Sequence, residues 1–308
     1  MRKKICIILA TMIAAVSCQE KVYTDLNVQH EQDNLETKSL KVISYNILEG
    51  MKLDAANGYE NFIQWVKGQD PDILAIEEAN GFTEEKLKEV AKKWGHDHVV
   101  TNCGYPGASS FPVALTSRYE IKDVKHLVEN VYHGAIWANI CGIEVIVLHL
   151  YPFSDIRSNI DWDKPSDIDG DGDIDGDDYR IHEIDVYIGE TIMKNPLRPN
   201  WLMMGDFNSV SPLDRNQYKN KPSYDVHGHV LELYTDLVMS MHNKFCRSLP
   251  TIYGGWNEQS STGKRYDFIY GSDVLSRDLL RADFIHDDFT ENNSDHYPIA
   301  VELRTYEN

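Results

Sequence analysis

The chain has 308 residues, 42% of them hydrophobic and 10% aromatic. That composition supplies a core and excludes an intrinsically disordered protein. A formal charge of −19 repels polyanions at long range. It disfavours a general nucleic-acid or anionic-membrane binder, while leaving room for a local metal-lined cleft that accepts phosphate.

Arg2, Lys3 and Lys4 precede an apolar run over residues 5–16 that is too short to span a bilayer and is shaped like a secretory signal. The run ends Ala15-Val16-Ser17-Cys18, which resembles a bacterial lipobox. The resemblance implies a lipoprotein signal peptide over 1–17, lipid on Cys18, and a protein anchored to a membrane of the bacterial cell envelope. Residues 18–39 are polar and aperiodic and read as a flexible tether, so the folded domain is expected over 40–306. Cys103, Cys141 and Cys246 then remain, an odd count at irregular spacing that is neither a disulfide framework nor a zinc pattern.

The first predicted strand covers residues 41–47 and carries Asn46 near its end. A helix follows with Tyr59, Phe62, Ile63 and Val66 on one face and Gly68 as its stop. Pro71-Asp72-Ile73-Leu74-Ala75-Ile76-Glu77-Glu78 is a buried strand finishing in two carboxylates. Thr83 is placed to cap a second helix, with Glu84 and Glu85 in its first turn, Leu87, Val90, Ala91 and Trp94 on its apolar face, and Gly95 at its end. Between residues 96 and 150 short apolar runs predict mostly antiparallel strands, the last of them finishing on His149.

Residues 167–178 hold seven Asp in twelve positions. Like charges packed this closely repel unless a cation neutralises them. The spacing fits a twelve-residue calcium loop, with Asp167, Asp169, Asp171 and Asp178 at positions 1, 3, 5 and 12, and Gly172 at position 6. Asp173 would supply a backbone carbonyl at position 7, and Asp175 would act directly or through water at position 9. Asp rather than Glu at position 12 makes the loop closer to the dockerin variant than to the EF-hand. A helix over residues 179–194 follows.

The strand Trp201-Leu202-Met203-Met204-Gly205-Asp206-Phe207-Asn208 is four apolar residues, a glycine and then a carboxylate and an amide just past the strand end. A helix is expected to bury Val230, Leu233, Tyr234, Leu237, Val238 and Met241. The stretch 254–263 is rich in Gly and Ser, Asp267 stands in a strand between large apolar neighbours, and Ser294-Asp295-His296-Tyr297-Pro298 precedes a closing strand over 299–303.

The polar strand endings, from Ser44-Tyr45-Asn46 through Ile76-Glu77-Glu78, Leu148-His149-Leu150, Gly205-Asp206-Phe207-Asn208 and Tyr266-Asp267-Phe268 to Ser294-Asp295-His296, occur in the order found in the endonuclease/exonuclease/phosphatase superfamily of metal-dependent phosphoesterases. The chain resembles that superfamily over about residues 40–304. The resemblance implies a single α/β domain, deoxyribonuclease-like, with a two-sheet β-sandwich covered by helices on both outer faces in four layers. It also implies hydrolysis of a phosphate ester at a Mg²⁺ or Mn²⁺ site.

By that resemblance Glu78 is the principal metal ligand, with Asn46 and Asp295 near it. His296 is the general base or phosphate partner, oriented by Asp267. Asp206 positions or deprotonates the water, and Asn208 and His149 bind phosphoryl oxygens. The choice between His296 and Asp206 as proton acceptor stays open, as do phosphate-binding or salt-bridge roles for Arg118 and Arg180. Substrates implied are extracellular nucleic acid, a phospholipid head group or a small phosphorylated metabolite, acted on by a monomer. The alternative reading is a non-catalytic module that uses the Asp-rich calcium loop for surface binding or adhesion.

Overall fold

Alternation of buried and exposed positions resolves, in a computed structural model, into twelve strands among the described residues. The structure describes residues 38–155, 167–214, 224–237 and 265–305. The expected signal peptide, Cys18 and nearly all of the expected tether lie outside the described residues, as do Cys246, the stretch 254–263 and the side chains of Val238 and Met241.

Strands β1 (Ser39–Asn46), β2 (Ile73–Glu77), β3 (His98–Thr101), β4 (Ala114–Ser117), β11 (Leu279–Phe284) and β12 (Ile299–Arg304) form one sheet in the order β11-β12-β1-β2-β4-β3. The second sheet has the order β5-β6-β7-β8-β10-β9. Its strands are β5 (Lys122–Leu127), β6 (Ala135–Ile140), β7 (Ile143–His149), β8 (Trp201–Asp206), β9 (Thr235–Asp236) and β10 (Asp267–Gly271). Each sheet is built round one parallel pair, β1 with β2 and β7 with β8, flanked by antiparallel neighbours. The two halves of the fold are therefore alike.

Because side chains alternate across a strand, each sheet has an inner and an outer set. Val42, Ile73, Ala75, Leu115, Val145, Val147, Leu202, Met204, Ile269 and Val301 meet between the sheets in one apolar core. The outer face of the first sheet, through Ile43, Tyr45, Leu74 and Ile76, packs against helices α1 (Glu60–Gln69) and α2 (Glu84–Lys92). The outer face of the second, through Ile146, Leu148, Met203, Phe268 and Tyr270, packs against α3 (Gly176–Glu190) and α4 (Tyr224–Leu231). The result is the expected four-layer α/β sandwich. Short helices α5 (Asp273–Arg277) and α6 (Asp288–Asn293) flank β11, and single turns of helix occur at Leu48–Met51, Ala55–Asn57 and Pro212–Asp214.

The helix ends follow local chemistry. The Thr83 hydroxyl accepts the Lys86 amide at the start of α2, and Asp175 and Asp178 form a capping box at the start of α3. Helix α1 runs through Gly68 and stops only where Asp70 turns left-handed (φ 52). A departure occurs after α4, which is short. Leu233 is exposed, Tyr234 is buried in the turn before strand β9, and Leu237 is buried just after it, so the helix of α4 does not continue through them. The apolar spacing there serves a turn and an edge strand, two structures that periodicity alone does not separate from a helix. No helix among the described residues is long and apolar enough to cross a membrane.

Candidate active site

Strand parity and strand ends build the site. Asn46 has the same parity as Val42, Glu77 as Ile73, His149 as Val145, Asp206 as Leu202, and Asp267 as Ile269. At one end of the sandwich the inner faces therefore change from apolar to polar without changing direction. Register aligns them. Asp267 lies opposite Asp206 and Asp206 opposite His149 in one sheet, while Asn46 lies opposite Glu77 in the other. Asn46, Glu77, His149, Asp206 and Asp267 are each at most 2% exposed.

Bonds then cross from sheet to sheet. Asn46 Nδ2 donates to Asp206 Oδ2 at 3.0 Å and to Glu78 Oε1 at 3.3 Å. Asp206 Oδ2 is also 3.7 Å from His149 Nε2 and 3.8 Å from His296 Nε2. His296 Nδ1 lies 2.7 Å from Asp267 Oδ2. The turn that carries His296 is tied to β1 through Ser294, whose hydroxyl donates to the Asn46 carbonyl at 2.7 Å and accepts the His296 amide at 3.1 Å. Asn208, with φ 49, donates its amide N–H to Asp206 Oδ1 and its side-chain Nδ2 to the Leu150 carbonyl.

Close backbone approaches hold these ends in place. Gly205 (φ +138) pairs with Leu148, and a Cβ there would sit 1.9 Å from the Leu148 carbonyl oxygen. Leu48, Glu49, Gly50 and Met51 all have positive φ, as does Glu78, so backbone strain gathers beside the site. Gly50 docks on the next turn, where a Cβ would meet the Asn80 carbonyl oxygen at 2.0 Å. The Glu49 amide donates to Glu78 Oε2 at 2.7 Å and the Gly50 amide to the Glu78 carbonyl, which fixes the Glu78 carboxylate.

Electrostatics follow from burial of like charges. Burial, then the nearby Asp267 and Asp206 carboxylates, raise Glu77 well above the usual carboxyl range. Burial works against a charged His296, but the carboxylates of Asp267 and Asp206 outweigh it and raise the imidazole well above its ordinary value. Burial likewise pushes Asp267 up to about 7 against the pull of His296. With Nδ1 and Oδ2 only 2.7 Å apart, the titration of each depends on the other, and the charged ring is the form the carboxylates favour.

Six of the expected residues are thus brought together: Asn46, Glu78, His149, Asp206, Asp267 and His296. Asn208 braces the turn beside them. Asp295 is exposed on the His296 turn and acts on Asp267 and His296 through its charge. Ligand atoms of Asp206, Asp267 and His296 come within 4.8 Å of one another, as a metal ion requires. Donors to the carboxyls of Glu77, Glu78, Asp206 and Asp267 include the amides of Asn46, Glu49 and Asn208, the Ser44 hydroxyl and the His296 imidazole. A pocket of hard oxygen donors with excess negative charge fits a divalent cation such as Mg²⁺ or Mn²⁺.

Sequence reasoning missed Glu77, although its parity with Ile73 and Ala75 was the available signal. It also missed His133, which stacks on His149 and sits in a loop with no pattern to mark it. Arg118 bonds Asp70 and lies near Asp72 at the opposite end of β2. Arg180 bonds Asp177 and the carbonyls of Tyr151 and Phe153, tying α3 to the chain beyond β7. Both arginines serve structural links. A cavity of about 600 Å³ beside β5, lined by Tyr105, Lys125, His126 and Val186, shares no residue with the cluster.

The Asp-rich loop is closed by its own carboxylates. Asp178, fully buried, accepts the amides of Ile168, Asp169 and Asp175, and Asp167 accepts that of Gly172. Asp171 accepts the Asp173 amide. Carboxylate oxygens of Asp167, Asp169 and Asp171 lie within 4.8 Å of one another. The described cysteines, Cys103 and Cys141, are free.

Fold and cleft define the class: a four-layer α/β sandwich with a carboxylate and imidazole site where its two sheets end together. Residues 43–296 match the Endonuclease/Exonuclease/phosphatase family, and the chain belongs to that family of phosphoesterases and nucleases. Solved structures agree on the fold. An AP endonuclease from Archaeoglobus fulgidus is 20% identical with a TM-score of 0.60, and a 3′ phosphatase, NExo, from Neisseria bound to a product DNA hairpin is 17% identical with a TM-score of 0.60. A conserved protein of unknown function from Enterococcus faecalis V583 is 13% identical with a TM-score of 0.56. In each case the match covers 86% of this chain and 100% of the other. No curated protein matches significantly.

Proposed function

We propose that the protein hydrolyses phosphate esters, as a phosphodiesterase, nuclease or phosphatase, with Mg²⁺ or Mn²⁺ as its resident ion. The observation that carries the reading is the link from Asp267 through His296 and Asp206 to Asn46 and Glu78, which joins four strand ends and the turn before β12 into one pocket. Asn46, Glu78 and Asp295 would hold the ion, with Asp206 beside them. When bound, a divalent ion neutralises phosphoryl oxygens and lowers the pKa of a nearby water.

The chain's own groups divide the remaining work. Asp267 holds His296 by Nδ1 and keeps the ring charged, so Nε2 is a proton donor to a phosphoryl or leaving oxygen. Asp206 is then the acceptor that orients the water and takes its proton. His149 and the second N–H of Asn208 bind phosphoryl oxygens. Extracellular nucleic acid, a phospholipid head group and a small metabolite are the substrate classes. The protein acts as a monomer held by lipid on Cys18 at the bacterial envelope, and the Asp167–Asp178 loop binds Ca²⁺, which orders it without taking part in the chemistry.

The test is a panel of p-nitrophenyl phosphate, bis(p-nitrophenyl) phosphate, DNA and sphingomyelin vesicles, each with Mg²⁺. Turnover should vanish with EDTA and fall by roughly 10²–10⁴-fold in His296→Ala. Ca²⁺ should raise the melting temperature of the wild type but not of Asp171→Ala, whose Mg²⁺-dependent turnover should persist. No turnover on any ester would favour the calcium-dependent adhesion module.

A further inference from the structure

Two imidazoles flank Asp206, and they are held in different ways. His296 is fixed by a carboxylate at its Nδ1. The Nδ1 of His149 is buried and has no hydrogen-bond partner among the described residues. No hydrogen bond at that nitrogen sets the rotation of the His149 ring. Its face is covered instead by a second imidazole, that of His133, with ring centroids 4.2 Å apart and planes 19° from parallel.

His133 is itself firmly seated. It is 2% exposed, and its Nδ1 meets Ser109 Oγ at 2.7 Å. Phe111 and Tyr132 meet it edge-on at 5.5 Å and 4.5 Å. The Tyr132 amide donates to Glu183 of α3 at 2.8 Å, which pins the loop. Ser109 and Phe111 come from the segment between β3 and β4, so the opposite sheet's connection reaches across to steady this ring. Burial, and then proximity to His149, hold His133 well below the ordinary imidazole range, so it stacks as a neutral ring.

We propose that His133 is a positioning residue for the phosphoester reaction, fixing by face-to-face stacking the plane in which His149 presents Nε2 beside Asp206. The inference rests on the phosphoesterase reading above. It assigns no contact between His133 and substrate. Ser109 acts one step further back, by holding the His133 ring.

Full-length His133→Ala, His133→Phe and Ser109→Ala are compared with wild type for kcat and KM on the best ester of the panel, and by imidazole NMR of His149. Loss of the stacked ring should lower kcat about 10- to 100-fold at nearly unchanged KM, and should broaden the His149 ring signals and move them downfield. Phe restores a flat face, so His133→Phe should recover kcat to within about threefold of wild type, with a smaller loss in Ser109→Ala. Wild-type kcat and unmoved His149 signals in folded His133→Ala would overturn the proposal, as would a kcat loss that Phe does not rescue. If His133→Ala does not fold, His133→Phe and Ser109→Ala decide by the same criteria. If the wild type turns over no ester, the phosphoesterase reading fails, and the proposed positioning role fails with it. The His149 signals then still report whether His133 fixes that ring.

Discussion

At the scale of single residues, the site depends on carboxyl groups taken out of water and left close to one another. Glu77 is the extreme case: fully buried, with Oε1 bonded to Ser44 and Oε2 without a hydrogen-bond partner among the described residues. Its pKa is raised in the folded state, so the unfolded chain ionises first. The stability contributed by the neutral acid is full below the unfolded value, near 4.5, and is lost as pH climbs from there through the folded value. Metal-free Glu77→Gln should accordingly be more stable than wild type at pH 7, by roughly 1–3 kcal/mol. The gain should shrink toward zero as pH falls to about 4.5. Urea denaturation at several pH values in EDTA measures both. The same residue marks a limit of reading from sequence. Two adjacent glutamates ended a strand, and the choice of Glu78 rested on family order, whereas the parity that sends Glu77 inward needs the strand's inner face to be known. Asn46, Asp206 and Asp267 were legible because each ends or interrupts an apolar run, and His296 because Ser294-Asp295-His296 stands before the closing strand in the family's order.

At the scale of elements, the strands around the parallel pairs were readable from their apolar runs and the N-cap of α2 from Thr83, whereas α3 starts at Gly176 within the Asp-rich loop, three residues before the expected 179. The segment after α4 was not readable, since Val230, Leu233, Tyr234 and Leu237 are spaced as one helix would space them, yet the helix ends at Leu231 and a turn and an edge strand intervene. No local rule separates those uses, because the partner that decides, β10, arrives some thirty residues later. The junction of β7 and β8 is sensitive to a small change. Gly205 takes a backbone conformation that L-residues avoid, and its neighbour's carbonyl fills the space of a Cβ. Gly205→Ala should therefore destabilise by about 3 kcal/mol or more and lower activity as well, since Asp206 is the next residue. Denaturant midpoints compared with Thr83→Ala, expected to cost only about 1 kcal/mol, would show the difference.

For the whole molecule, a charge of −19 surrounds a pocket that must admit a phosphate. Long-range repulsion should slow a polyanion's approach, and salt should relieve it, because the screening length falls to about 8 Å at 0.15 M ionic strength. For DNA, kcat/KM should rise by roughly two- to tenfold between low and physiological salt at fixed Mg²⁺, while a small monoester shows little change. A fall with salt would mean that a basic surface guides the substrate. The pocket also has a mechanical character. Asn46, Glu78 and His296 stand on one sheet or its connections, Asp206, Asp267 and His149 on the other, and the apolar filling between the sheets sets how far apart the two sets lie. Chemistry here is performed across a seam, so wear in the padding, even a methyl group removed far from the opening, would be felt as lost alignment before it was felt as lost shape.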